Sequence, residues 1–360
     1  MASENESPQN RTGETQTTNN APRKRRKWPW IVGGLAGLVF LGFLIAGAVA
    51  VALLFSGGGG GGSPVANYNE EYVSGEGSER VAVIPVIGTI AADTGDVGGV
   101  APTTTPQGLT DALAQAAEDD GVEAVILEVN SPGGGVTASA EMHDAIVDFK
   151  DEADKPVVVS MADTAASGGY YISTPADRIV AYETTLTGSL GVFLQLLDLT
   201  GIEEEYGISQ RYIKSGEFKT MGNPWEDLTE EERDIFQSIV EENYDEFVEV
   251  IVEGRDLPES EVREIADGRV YSGSRAEELG LIDELGGFDR AVEIASDLAE
   301  VEDPTVIRYV QEPGLGSLLL SRLQPQPPEA VQVLEAAGVE FSGEPQYLYV
   351  PGAGSAATVR

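Results

Sequence analysis

The sequence predicts an α/β fold, because short β-branched runs alternate with helical segments from Arg80 to Glu300, about 220 residues. The runs are apolar at nearly every position, which is typical of strands covered on both faces of a sheet. A stretch of this length can bury one substantial core. We therefore expect one α/β domain over residues 79–303, followed by a C-terminal segment and tail over residues 304–360.

The elements of this domain can be placed in order. The predicted strands are Arg80–Ile90, Ala124–Asn130, Pro156–Met161 and Arg178–Tyr182. Helical segments run from about Gln107 to Glu118 and from Ala138 to Lys150. A longer helix starts at Thr229, where Glu232 is spaced to complete a capping box. Its apolar residues recur at helical spacing and predict core packing or a subunit contact: Ile235, Phe236, Ile239, Val240, Phe247, Val248 and Ile251.

The N-terminal segments predict a single-pass membrane anchor. A polar, basic tail over residues 1–30 is expected to be disordered. Residues 31–55 carry no charge and exceed the roughly 20 residues that span a bilayer. A cleaved signal peptide is the alternative, although its apolar region would be unusually long. Because basic clusters stay in the cytoplasm, we expect the folded domain outside the cell membrane, on a Gly-rich linker over residues 56–78.

The charge balance predicts a protein that works in concentrated salt. Residues 1–55 hold six Lys/Arg and three Asp/Glu, so the rest carries 16 basic and 58 acidic residues, a formal charge of −42. Such self-repulsion weakens as salt screens it, which favours a source in a halophilic archaeon. An acidic surface for a basic partner is the alternative, although the acidic residues are spread evenly along the chain. Nucleic acid is excluded as a partner by this charge, and the absence of cysteine excludes disulfides and thiolate chemistry.

Ser167 and Lys219 are the candidate catalytic residues. Ser167 lies among small residues in AASGGYYIS, and Lys219 follows 52 positions later. The chain has only six lysines, and its single histidine, His143, lies in a helical pattern that favours a structural role. A serine nucleophile with a lysine base fits this composition. Lys214 is the rival base, and Ser189 is a candidate hydrogen-bond partner of Lys219 or a simple turn residue.

A glycine turn follows the second long strand, in Ser131-Pro132-Gly133-Gly134-Gly135. Glycines let the backbone approach a ligand closely and turn its N–H groups inward. Such a turn can supply one donor of an oxyanion hole, and the amide of Gly168 after the serine can supply the other. A plain turn or a phosphate cradle would give the same pattern, although the usual phosphate-binding motifs are absent.

Several motifs in order resemble the signal peptide peptidase A (protease IV) family. They are VNSPGGGV, SMADTAASGGYYISTPADRIVAYETTLTGSLGV, IKSGEFKT and IADGRVYSGSRAEELGLIDELGG, and the resemblance runs from about Arg80 to Gly287. It implies a Clp/crotonase-type fold of stacked ββα units, in the short single-domain form. It also implies a Ser167–Lys219 dyad, with Gly134 and Gly168 as oxyanion donors.

The resemblance further implies an endopeptidase that degrades cleaved signal peptides and other apolar peptides at the lipid bilayer, with no cofactor and no metal. It implies a ring-like homo-oligomer whose active sites face an apolar groove. Related Ser–Lys proteases that cut stomatin-like proteins are the nearest alternative. A crotonase-like acyl-CoA enzyme is a further one, although this acidic chain offers few basic groups for the CoA phosphates.

The C-terminal tail is a candidate substrate mimic. Gln346–Val350 predicts a short strand, and small residues follow from Gly352 to Ala357. An apolar run followed by small residues is what a signal-peptide-degrading site should accept. We expect either a frayed tail or a segment that enters a neighbouring active site and is trimmed there or blocks it weakly.

Overall fold

The computed structural model describes residues 68–92, 103–207 and 210–310, together with the backbone of residues 346–348. The predicted tail and anchor over residues 1–55 therefore lie outside the described residues. So does most of the predicted linker. Within the described ranges, no helix combines the length and apolarity needed to cross a membrane.

A mixed α/β architecture is confirmed. In the described residues, nine strands form one sheet in the order β1-β12-β2-β5-β7-β8-β11, with β9 pairing both β7 and β10. A small second sheet has the order β13-β6-β3-β4. The strands are β1 Asn69–Ser74, β2 Arg80–Ile87, β3 Thr89–Ile90, β4 Thr103–Thr104, β5 Val122–Ser131, β6 Gly133–Gly135, β7 Val157–Ala166, β8 Arg178–Ala181, β9 Leu186–Gly188, β10 Val270–Ser272, β11 Glu284–Leu285, β12 Thr305–Val310 and β13 Gln346–Leu348.

The centre of the large sheet is parallel. Strands β12, β2, β5, β7, β8 and β11 pair in parallel, while β1 joins β12 and β10 joins β9 in antiparallel fashion. The described helices are α1 Pro106–Glu118, α2 Val136–Ala153, α3 Gly168–Tyr171, α4 Thr200–Tyr206, α5 Glu230–Arg255, α6 Glu259–Ile265, α7 Gly273–Glu278 and α8 Phe288–Leu298, with a 3-10 helix at Glu217–Thr220.

Both faces of the sheet are covered, which explains why its strands lack an apolar–polar alternation. Successive strand residues point to opposite faces. Ala82, Val125 and Val159 join the larger core with α1, α2 and the C-terminal half of α5. Val83, Ile126 and Val158 face the other way and pack against Ala291, Ile294 and Ala295 of α8. A charged residue on either face would therefore enter a core.

The long helix α5 begins where the sequence predicted. Thr229 accepts a hydrogen bond from the Glu232 N–H at 3.2 Å, and the Glu232 carboxylate accepts one from the Thr229 N–H at 3.1 Å. Only its C-terminal half reaches the core, through Phe247, Val248 and Ile251. Ile235 and Phe236 in the N-terminal half stay partly exposed. That half is thus free for other contacts.

The folded unit extends beyond the expected limits of residues 79–303. β1 lies in the segment expected to be linker, and it pairs with β12, which lies in the expected C-terminal segment. β12 in turn pairs with β2 of the central sheet. The apolar pattern did not reveal β1, because nearly all its side chains are exposed. Backbone pairing holds it on the edge, together with an ion pair between Glu70 and Arg80 and the packing of Val73 against the second core.

Salt should stabilise this fold. The chain beyond residue 55 carries a formal charge of −42. Charges on its surface interact over about 10 Å at 0.1 M salt and only about 3 Å at 1 M. We expect the thermal unfolding midpoint to rise steadily from dilute to molar potassium chloride. An uncharged osmolyte at matched osmolality is the control, and an unfolding midpoint that is independent of salt would contradict the halophilic interpretation.

Candidate active site

Ser167 sits at a sharp turn between β7 and α3. Its backbone has φ 53° and ψ −117°, a conformation that L-residues other than glycine rarely adopt. Its N–H donates to the Gly188 carbonyl at 2.7 Å, which holds the turn against β9. The residue is only 1% exposed. Strain of this kind costs about 1–3 kcal/mol, so the surrounding contacts must hold the serine in place.

Helix α3 behind Ser167 is anchored by two buried tyrosines. The Tyr170 hydroxyl donates to the Leu281 carbonyl at 2.8 Å, and burial raises the pKa of Tyr170. The Tyr171 ring packs on Phe247 of α5, with centroids 5.2 Å apart, and its hydroxyl donates to Glu246 at 3.2 Å. Burial raises the pKa of Tyr171 as well. Both phenols therefore stay protonated and keep the helix fixed on its neighbours.

The glycine turn forms the short strand β6. The Gly133 N–H donates to the Ser131 hydroxyl at 3.1 Å, in a fully buried site. Gly134 pairs with Ile90 of β3 so closely that a Cβ on Gly134 would lie 1.8 Å from the Ile90 oxygen. Only glycine fits there. The predicted close approach of backbone at this turn is therefore present.

The structure brings the glycine turn and the Ser167 turn together. Ser131 pairs with Ala165 of β7, and a Cβ on Gly169 would lie 2.7 Å from the Ser131 oxygen. The segments that contain Gly134 and Gly168 are thus neighbours, as an oxyanion hole requires. The sequence pattern did not reveal that the Ser131 hydroxyl caps this turn, although a hydroxyl two residues before Gly133 is the usual signal of a serine turn.

The other edge of β6 carries the C-terminal segment. β13 pairs with β6 in antiparallel register, with Tyr347 opposite Gly134. The strand predicted over Gln346–Val350 is thereby confirmed over Gln346–Leu348. An extended segment of this chain therefore lies along the strand that contains the predicted oxyanion donor, in the manner of a peptide added to a sheet edge.

Lys219 lies on the exposed surface, in the 3-10 helix Glu217–Thr220. Its side chain makes no hydrogen bond or ion pair to any described residue, Ser167 included. Its neighbours in sequence do not cover it, and Phe218 is itself 39% exposed. The structure brings the serine and the glycines together, but it does not bring Lys219 to the serine.

The other described lysines all have hydrogen-bond partners. Lys150 donates to the Pro175 carbonyl at 2.5 Å, and Lys155 donates to the Ala116 carbonyl at 2.8 Å. Lys214 donates to the Glu217 carbonyl at 2.9 Å. Among the lysines that the structure describes, Lys219 is therefore the one whose ammonium has no hydrogen-bond or ion-pair partner.

Ser189 and His143 make no hydrogen bond to either candidate catalytic residue within the described ranges. Ser189 has φ 53° and donates its N–H to the Arg269 carbonyl at 2.7 Å, which fits the turn role. His143 is half-buried on α2, with its ring edge against Tyr171 at 5.3 Å. Burial lowers the pKa of His143. These contacts fit the structural role predicted for the histidine.

No cluster of three or more His, Asp or Glu side chains in the described residues has the geometry of a metal site. The groups that the structure brings together here are Ser167 and the backbone N–H groups of the two turns. These groups suit acyl transfer, in which a hydroxyl attacks a carbonyl and N–H groups stabilise the resulting oxyanion.

Comparison with known proteins identifies the family. Residues 150–302 match the model of peptidase family S49, and this range contains both Ser167 and Lys219. A protein named signal peptide peptidase SppA from Enterococcus faecium is 35% identical over 290 residues, which cover 78% of this chain and 84% of that protein. A protease of Methanocaldococcus jannaschii is 34% identical over 254 residues, which cover 70% of this chain and 81% of that protein.

Two further similarities cover less or are looser. Protease 4 of Haemophilus influenzae is 35% identical over 229 residues, 64% of this chain and 36% of that protein. The solved structure of a ClpP1 mutant from Listeria monocytogenes has a TM-score of 0.39 and 15% sequence identity to this chain. The match covers 58% of this chain and 94% of that chain. The sequence relatives establish that the chain belongs to the signal peptide peptidase A family within peptidase family S49 and is a serine-type peptidase.

Proposed function

We propose that this peptidase is a membrane-anchored endopeptidase that uses a Ser167–Lys219 dyad to degrade cleaved signal peptides and other apolar peptides. The observation that carries the proposal is the pairing of β13 with β6 beside Ser167. A substrate that bound as β13 does would lie extended along the glycine strand. An unfolded peptide offers an extended backbone whose N–H and C=O groups are unpaired, whereas most of a folded protein does not.

The proposed reaction uses Ser167, Lys219 and two backbone N–H groups. Neutral Lys219 accepts the proton of Ser167 Oγ as that oxygen attacks the peptide carbonyl. The N–H groups of Gly134 and Gly168 stabilise the oxyanion that forms. Lys219 then gives the proton to the leaving amine, and an acyl-enzyme ester remains on Ser167. Water, deprotonated by the same amine, hydrolyses the ester and regenerates the serine.

A homo-oligomer would complete this site. The segment around Lys219 exposes many large apolar side chains for one polypeptide: Leu196, Leu197, Tyr206, Tyr212, Ile213 and Phe218. Exposed apolar patches of this kind mark interaction surfaces. A neighbouring subunit that covers the patch would remove water from around Lys219, which favours the neutral form of an amine. The partly exposed half of α5 adds to the same surface.

The cellular setting is part of the proposal. Residues 31–55 anchor the chain in the cell membrane, with residues 1–30 in the cytoplasm and the peptidase domain outside. Signal peptides remain in the bilayer after secretion, so this placement brings enzyme and substrate together.

The Clp/crotonase-type subdivision of the α/β fold also rests on the family resemblance. No nucleotide-binding motif is present in the sequence, so we expect cleavage without ATP.

Cleavage of a synthetic signal peptide and of a folded soluble protein tests the substrate class. We expect the full-length enzyme in a bilayer or detergent to cut the peptide and to leave the folded protein intact. Ser167→Ala enzyme, prepared in the same way, controls for contaminating proteases. Cleavage of both substrates at comparable rates would contradict a site reserved for extended apolar peptides.

A further inference from the structure

Lys214 lies five residues before Lys219 and contacts the turn that contains it. The Lys214 ammonium donates to the Glu217 carbonyl at 2.9 Å and to the Thr220 hydroxyl at 3.1 Å. Glu217 and Thr220 are the first and last residues of the 3-10 helix. Lys214 therefore bridges both ends of the turn on which Lys219 stands.

Apart from backbone hydrogen bonds, the turn is held by Lys214. A 3-10 helix has poorer hydrogen-bond geometry than an α-helix and is stable only in short pieces. Here the Lys219 N–H donates to the Gly216 carbonyl at 3.3 Å and the Met221 N–H donates to the Phe218 carbonyl at 3.1 Å, and no residue of the turn is buried. In the described chain, Lys214 is the one side chain that hydrogen-bonds to this turn, and it does so at both ends.

The chain uses the same device elsewhere. Lys155 donates to the Ala116 and Asp119 carbonyls and so closes the C-terminal end of α1. Lys214 makes the same kind of contact with the 3-10 helix that contains the candidate base Lys219. In a chain with only six lysines, a second lysine next to Lys219 is thereby explained.

We propose that Lys214 is a positioning residue, which fixes the 3-10 turn so that the Lys219 amine keeps one direction when a neighbouring subunit completes the site. The inference rests on the proposed function of Lys219 as the base. It assigns Lys214 no contact with the substrate. A base must be aligned with the proton it takes, and a misplacement of about 1 Å can cost about 100-fold in rate.

Steady-state kinetics of three variants test this role. In Lys214→Gln enzyme we expect kcat to fall by about 10- to 100-fold with little change in KM, because the turn loosens while the substrate strand is untouched. Lys214→Arg enzyme keeps the charge and can donate to both acceptors, so it should recover most of the lost kcat. Lys155→Gln enzyme, which loses the equivalent clamp on α1, should keep its kcat.

The other outcomes separate the possibilities. A wild-type kcat in Lys214→Gln enzyme would overturn the positioning role. Equal loss in Lys214→Gln and Lys214→Arg enzymes would overturn it too, because arginine cannot act as a base and Lys214 would then be the base itself. An equal fall in Lys155→Gln enzyme, or a lowered unfolding midpoint or smaller oligomer in Lys214→Gln enzyme, would reduce Lys214 to a structural residue. Full activity of Lys219→Ala enzyme would instead remove the proposed function.

Discussion

Alanine at Ser167 or at Lys219 should abolish peptide cleavage and leave the fold intact. Removal of a nucleophile or its base lowers kcat by a factor on the order of 10⁴ to 10⁶ in serine peptidases. Alanine at position 167 keeps the strained backbone with no larger side chain, and Lys219 is exposed. We therefore expect unchanged unfolding midpoints. The measurements are turnover of a fluorogenic peptide and labelling by an activated-serine probe.

His143→Ala enzyme is the control for this pair. The histidine is the only other side chain in the sequence that usually serves as a base near neutral pH, and it contacts Tyr171 rather than Ser167. We expect it to retain most of its activity. A loss in His143→Ala enzyme as complete as that in Ser167→Ala enzyme would replace the lysine mechanism with a histidine mechanism.

Gly134→Ala enzyme should lose both activity and stability. The new Cβ would lie 1.8 Å from the Ile90 oxygen, a distance that no relaxation of a side chain can relieve, so β6 must move away from β3. An oxyanion donor displaced in this way costs about 10²- to 10³-fold in kcat. The measurements are kcat and the thermal unfolding midpoint.

Gly135→Ala enzyme provides the matched control one residue later. A Cβ on Gly135 would meet only the Ala138 Cβ, at 3.8 Å, and its φ of −63° suits any residue. We expect this variant to keep its fold and most of its activity. Equal effects of the two alanines would mean that the place of Gly134 between β3 and β13 has no special importance.

The sequence predicted the central strands because strands that are buried on both faces are apolar at nearly every position. Leu127 and Val159, for example, lie in apolar runs and are fully buried. The start of α5 was equally readable, since the Thr229–Glu232 capping box depends on four consecutive residues. β1 has no such apolar run, because its exposed residues contribute backbone hydrogen bonds and few apolar contacts.

The site was predictable in part. The glycines and Ser167 are recognisable because their local backbone demands small residues, although the positive φ of Ser167 itself was not predicted. The environment of Lys219 could not be predicted from its neighbours in sequence. Phe218 is adjacent to it and is itself 39% exposed, so neighbours in sequence do not bury the amine. The proposed function assigns that burial to another subunit.

The edge position of β1 keeps the proposed membrane attachment at a distance from Ser167. β1 is the first strand of the sheet and β7, which ends at Ser167, is the fifth, so about 19 Å lie between them at the usual spacing of strands. Tension that enters the domain through residue 68 falls first on the hydrogen bonds of Tyr68 to Gln115 and Gly108 of α1, and then on the ladder between β1 and β12. If β1 peeled away, the pairing of β7 with β5 and β9 would stay whole. The outer strand can therefore yield to movements of the chain before it while the serine keeps its geometry.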